Sequence, residues 1–121
     1  MSALENPGDG EILDLLPLPL SHFFVLFALA EGEKHGYRIM QDVKLLSNGT
    51  LRMGPASLYT TIQRLSDEGF IEEISTRDGD RRRTYRLTGN GKRLLDAEFS
   101  RQHDVLALAK RKRVFSAGGR V

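Results

Sequence analysis

From residue 21 onward the apolar positions fall into blocks, set apart by Gly, Pro and Asn, and each block keeps one period. Ser21 is placed to cap a first helix running to about Ala30, with Gly32 beyond its end. Its sequence HFFVLFALA is apolar nearly all round, so it needs cover on more than one side. A second subunit could supply that cover, and so could a central place in the chain's own core. The shortness of the chain favours the subunit. His35 or Gly36 opens a second helix through about Leu46, with Ile39, Val43 and Leu46 at helical spacing and Ser47-Asn48-Gly49 as its break. Thr50 to Met53 reads as a short extended piece. Gly54-Pro55 then delivers Pro to the first position of a third helix, Pro55 to about Glu68, stopped by Gly69.

On that third helix Leu58, Ile62 and Leu65 make a narrow core stripe. At about 100° per residue, Ala56, Thr60, Gln63 and Asp67 face directly away, with Ser57, Tyr59 and Arg64 on the flanks. The N-terminal part of this outer face is small and hydrogen-bonding, and its acids wait until the last turn. A helix entering a DNA major groove needs that order, because its N-terminal residues approach the bases. Two alternating stretches follow, Phe70 to Arg77 and Arg83 to Thr88, joined by a Gly-centred turn. They predict a two-stranded wing with Arg77, Arg81, Arg82 and Arg83 at or beside its tip. Such arginines suit phosphates, although any exposed hairpin tip tends to be charged. Thr88 caps a last helix, Gly89 to about Arg113, with Leu95, Phe99 and Leu106 along one face. No later element remains to cover that face, so it predicts pairing with the first helix or with its own symmetry mate. The domain map is therefore a flexible N-terminal arm (1–18), a winged helix-turn-helix (19–88), a dimerisation helix (89–113) and a tail (114–121).

Composition narrows the chemistry. At 121 residues the chain has room for one domain, and 40% apolar with 28% charged residues is an ordinary globular balance. With no Cys, thiolate catalysis, disulfides and Cys-built metal sites are excluded, and the three histidines lie far apart. No cofactor is expected: Gly8-Asp9-Gly10 and Gly89-Asn90-Gly91 lack the Lys-Ser/Thr ending of a phosphate loop. No nucleophile–base or carboxylate pair stands out, so an enzyme is the remotest reading. The apolar stretch at 12–30 is interrupted by Asp14, Pro17, Pro19 and His22 and follows no basic segment, which predicts a cytoplasmic protein with neither signal nor span. The first 33 residues carry six acids and no Lys or Arg, whereas all 18 Lys and Arg follow, against ten acids. That split points to a polyanion partner or to a plain solvated face, and charge alone does not separate the two.

HGYRIMQDV at 35–43, LRMGPASLYTTIQRLSDEGFIEE at 51–73 and RRRTYRLTGNGKRLLDAE at 81–98 resemble the PadR family of bacterial transcriptional regulators. The blocks span most of residues 21–113 in the family's order. The resemblance implies a mainly α fold with a small two-stranded hairpin, a winged helix-turn-helix followed by one C-terminal dimerisation helix. It also implies a homodimeric repressor on a pseudo-palindromic double-stranded operator. Carried onto this chain, Ser57, Tyr59, Thr60, Gln63 and Arg64 lie on the groove side, Tyr37 is a backbone contact, and Arg81, Arg82 and Arg83 form the basic wing. Arg64 suits guanine and Gln63 adenine, while the others set register on phosphates. About 33 residues follow the wing, which places the chain with the short, single-helix subfamily. There is no Trp to sandwich a planar ligand. Phe23, Phe24, Phe27, Leu95, Phe99 and Leu106 are the expected dimer seam. Phe23, Phe27 and Phe99 are where a small aromatic or other hydrophobic effector would sit, plain packing being the simpler account of them. The alternative function is a winged helix that binds protein without specific DNA recognition.

Overall fold

The computed structural model describes residues 7–74 and 82–116. Five helices and three short strands follow in the order α1 (Asp9–Leu13), α2 (Leu20–Leu29), β1 (Lys34–His35), α3 (Gly36–Leu46), α4 (Pro55–Asp67), β2 (Ile71–Ile74), β3 (Thr84–Leu87) and α5 (Gly89–Arg111). The mainly helical winged helix-turn-helix stands as expected, with one addition to its sheet. β3 is central and antiparallel to both neighbours, pairing Lys34 with Tyr85 on one side and Ile71 with Leu87 on the other. Thr84 and His35 reinforce the added edge, Oγ1 to Nδ1 at 3.0 Å.

Local chemistry explains the boundaries. α4 starts at Pro55, whose missing N–H would have had no partner there. It ends in a Schellman motif: the Phe70 amide reaches the Leu65 carbonyl at 2.9 Å and the Gly69 amide reaches Ser66 at 3.0 Å. Gly69 takes φ 85°, which a side chain would disfavour. Thr88 caps α5 as expected, its hydroxyl accepting from the Gly91 amide at 3.0 Å and donating to the Gly69 carbonyl at 2.6 Å. α2, by contrast, starts at Leu20 after Pro19 and uses no side-chain cap, so Ser21 lies inside its first turn.

α2 runs through the centre. Val25, Leu26, Ala28 and Leu29 are buried, packed with Ile39 and Val43 of α3, Leu58, Ile62 and Leu65 of α4, and Leu94 and Leu95 of α5. Much of the apolar surface that suggested a second subunit is thus covered within the chain. Residues 7–18 do not extend away as an arm. Ile12 is buried in the core, Asp9 meets Arg93 on α5 at 3.1 Å, and the Leu18 amide donates to Glu98 at 3.0 Å. Glu98 is only 2% exposed and also receives Arg101, so this carboxylate ties the segment ahead of α2 to α5. Residues 1–6 and 117–121, the outer parts of the expected arm and tail, lie outside the described residues.

A second buried acid holds the entry to the helix-turn-helix. Asp42 on α3 bonds Lys34 of β1 and, at 3.2 Å, Arg38 one turn back. Burial alone would raise its carboxyl, but the hydrogen bonds and charges of Lys34 and Arg38 outweigh that and hold it below 3.8. The sign is that of a depressed acid: the stability is present above the ordinary value and is lost as pH falls through the folded one. Asp42→Asn is expected to cost about 2 kcal/mol, less than the ~3–5 of a fully buried pair because Glu31 still faces Lys34. Urea midpoints measured against pH test this: the wild type should weaken as pH drops below 3.8, and the gap to the variant should close.

Candidate nucleic-acid interface

The core stripe of α4 is fully buried, and this alone aims the opposite side of the helix outward. Ala56, Ser57, Tyr59, Thr60, Gln63, Arg64 and Asp67 are exposed, and all of them except Ser57 line one open depression along the helix, which Glu68 closes. Gln63 Nε2 donates to Asp67 Oδ1 at 2.8 Å, one turn further on. Behind the end of the helix, burial holds the His22 imidazole below its ordinary 6.5, with Glu68 opposing and Arg64 reinforcing the shift. At neutral pH that ring is therefore uncharged.

Tyr59 proves to be more than a surface contact. It is 42% exposed, yet its hydroxyl lies directly over Gly36: a Cβ there would stand 2.3 Å from Tyr59 Oη. Its ring also lies 6.5 Å from that of Tyr85 on β3. One side chain therefore spaces α4, the start of α3 and the central strand. Gly36 is the residue that lets it, and the nearness of these two distant positions is visible only in three dimensions.

Beside this contact His35, Gly36, Tyr37, Tyr59, Arg82 and Arg83 border a concavity of about 440 Å³ with no acid among the described residues of its lining. Tyr37 is 69% exposed at the first turn of α3, a turn without acidic residues. Arg83 lies 4.0 Å from Glu73, both exposed, a separation at which the pair holds the guanidinium only loosely. Tyr37, the outer face of α4, Arg82 and Arg83 thus form one continuous polar and basic surface. Arg77 and Arg81 lie outside the described residues.

The residues expected at a dimer seam divide. Phe23 and Leu95 are buried by their own chain, so they have little surface to offer a partner. Phe24, Phe27 and Phe99 are half-buried, and Leu106 is 50% exposed. The three rings expected to line an effector pocket touch one another, with Phe23–Phe99 centroids 5.4 Å apart and Phe27–Phe99 5.1 Å apart, edge to face. Rings in that arrangement fill the space between them. Within one chain the rings pack on one another, and Phe99 also borders an open hollow with Leu29 and Leu95.

A buried three-helix core, a helix with a polar outward face and an antiparallel strand pair behind it, with Arg82 and Arg83 leading into β3, define a winged helix-turn-helix of the nucleic-acid-binding kind. The chain belongs to the transcriptional regulator PadR-like family, which its residues 25–97 match. It is therefore a transcriptional regulator and not an enzyme. Over 72 residues it is 36% identical to the transcriptional regulator Rv3488 of Mycobacterium tuberculosis, covering 59% of this chain and 64% of that protein. It is 33% identical over 73 residues to an uncharacterized protein X of Lysinibacillus sphaericus, covering 59% and 67% respectively. Bacillus subtilis PadR, solved in complex with operator DNA, superposes with a TM-score of 0.57 at 28% identity, over 65% of this chain and 46% of that one. A PadR family regulator from Clostridium difficile matches with a TM-score of 0.65 over 77% of this chain and 97% of the other; at 14% identity it shows the fold alone. Among the described residues no helix is long and apolar enough to cross a membrane.

Proposed function

We propose that the protein is a sequence-specific repressor that binds a pseudo-palindromic double-stranded operator as a homodimer. The observation that carries this reading is the outward face of α4. It is small and hydrogen-bonding at its N-terminal end and is continued by a concavity that holds Tyr37, Arg82 and Arg83. Gln63 and Arg64 then read base edges, and Ser57, Tyr59, Thr60, Tyr37 and the wing arginines set register on phosphates. The solved operator complex of the Bacillus subtilis relative supports the assignment of DNA as the partner. The exposed distal half of α5, with Phe24, Phe27 and Phe99, supplies the seam between copies. Release by a small hydrophobic effector would require the Phe23, Phe27 and Phe99 rings to part.

The test is fluorescence anisotropy on the promoter fragment of its own gene against a scrambled duplex, titrated with salt. If a dimer neutralises about 6–8 phosphates, log affinity should fall with log salt at about −5 to −7, a loss of roughly 10³–10⁴-fold between 50 and 200 mM. Arg82→Ala is expected to weaken both duplexes alike and to flatten that slope. Gln63→Ala or Arg64→Ala should keep the slope and erode the preference for the operator by about 1–3 kcal/mol per lost contact. Identical behaviour of the two kinds of variant would refute the division of roles. Absence of binding even at low salt would favour the protein-binding winged helix.

A further inference from the structure

Asp67 is an anomaly on a face turned toward a polyanion. It is exposed on the outward stripe of α4. The structure gives it Gln63 as hydrogen-bond partner, whose Nε2 donates to it at 2.8 Å. A carboxylate here repels phosphate and lowers affinity for every duplex. Its contribution is then to be sought in discrimination.

The chemistry of the amide supplies one. A Gln side chain carries an acceptor oxygen and a two-proton donor nitrogen, and a half-turn about its last torsion exchanges them. A carboxylate only accepts, so Asp67 takes the nitrogen side and decides which end is which. One amide proton is used by Asp67, while the other proton and the oxygen remain outward. That leaves one donor and one acceptor in fixed order, the complement of adenine N7 and N6–H₂. Guanine presents two acceptors, N7 and O6, and would meet the amide oxygen and the carboxylate.

We infer that Asp67 is a specificity-determining residue of the reading face: it locks the Gln63 amide in the order that accepts adenine and makes guanine unfavourable at the same base pair. The inference rests on α4 being the helix that reads DNA. Asp67 acts through Gln63, so it is a positioning residue, and a double-mutant cycle separates that role from simple removal of charge.

The experiment selects bound duplexes from a randomised library with the full-length wild type, Asp67→Ala, Gln63→Ala and the double variant, with circular dichroism confirming that each is folded. The wild type should enrich adenine over guanine about tenfold at one position per half-site, and Asp67→Ala should reduce that to about twofold or less. Affinity of Asp67→Ala for scrambled duplex should be unchanged or higher. In the Gln63→Ala background, removing Asp67 should add no further loss of preference. Wild-type selection of guanine, an Asp67→Ala variant with the full adenine preference, or losses that simply add would each overturn the inference while leaving DNA reading by α4 intact. A wild type that enriches no sequence would overturn the reading of α4 itself, and the inference with it.

Discussion

Leu106→Glu is expected to yield a folded monomer whose operator affinity falls by about 10²–10⁴-fold, the range lost when two linked contacts become one. α5 runs from Gly89 to Arg111, but its buried residues, Gly91, Leu94, Leu95 and Glu98, all lie in its first half. Beyond them Val105, Leu106 and Leu108 are all at least 44% exposed. A helical half of this length is marginal in water without tertiary support, and among the described residues Val105, Leu106 and Leu108 do not join the hydrophobic core. In the proposed homodimer a second copy, joined along Phe24, Phe27 and Phe99, would supply the cover. A charge placed at Leu106 is harmless to a monomer and costly at a buried seam. Light scattering coupled to size exclusion reads the oligomeric state, anisotropy the affinity, and a thermal melt the integrity of the core. A variant that remains dimeric and binds operator normally would remove Leu106 from the seam.

That exposed half-helix was legible in the sequence because Leu106 continues the helical spacing of Leu95 and Phe99. α3 and α4 were legible for a different reason. Their apolar stripes, Ile39-Val43-Leu46 and Leu58-Ile62-Leu65, coincide with local punctuation: Gly36 and Asn48-Gly49 around one, Pro55 and Gly69 around the other. Period and boundary agree, so helix ends and outward face both follow, and with them Thr60, Gln63 and Arg64. β1 gave no such signal. Lys34 and His35 are too few to show alternation, and they are a strand only because the edge of β3 is there to pair with them. α1 was hidden by its polarity, since a single residue, Ile12, anchors it in the core.

Burial within the chain was harder to read. Glu98 adjoins the apolar face of α5, and it is buried because the Leu18 amide and Arg101 satisfy it. Phe23 and Leu95 read as seam residues because a short chain promised little depth. In the structure α2 is surrounded by α3, α4 and α5, which is depth enough. Tyr59 shows the same limit on the interface. Its outward position follows from helical periodicity, but its second role depends on the approach of Gly36, which no spacing reveals.

A still closer approach makes the largest stability prediction. An ideal Cβ on Gly91 would stand 2.0 Å from the Phe70 carbonyl oxygen and 3.0 Å from its carbon. The obstacle is backbone, so no rotamer relieves it. Nor can the Phe70 carbonyl swing aside freely, because it accepts the Thr88 amide at 3.1 Å, while Thr88 Oγ1 is bonded to both the Gly69 carbonyl and the Gly91 amide. This knot joins the end of α4, the start of β2 and the first turn of α5. Gly91→Ala must lift α5 off the sheet or break the cap. Overpacking of this kind costs about 3 kcal/mol or more, and the better helix propensity of Ala returns at most ~1 kcal/mol, leaving a net loss of about 2 kcal/mol or greater. Gly89→Ala, where a Cβ would meet nothing within 4 Å, is the matched control and should be neutral to slightly stabilising. Parallel urea melts of the two variants decide the matter. Comparable midpoints would mean that α5 can shift without penalty and that its anchorage at Phe70 does not set the stability of the domain.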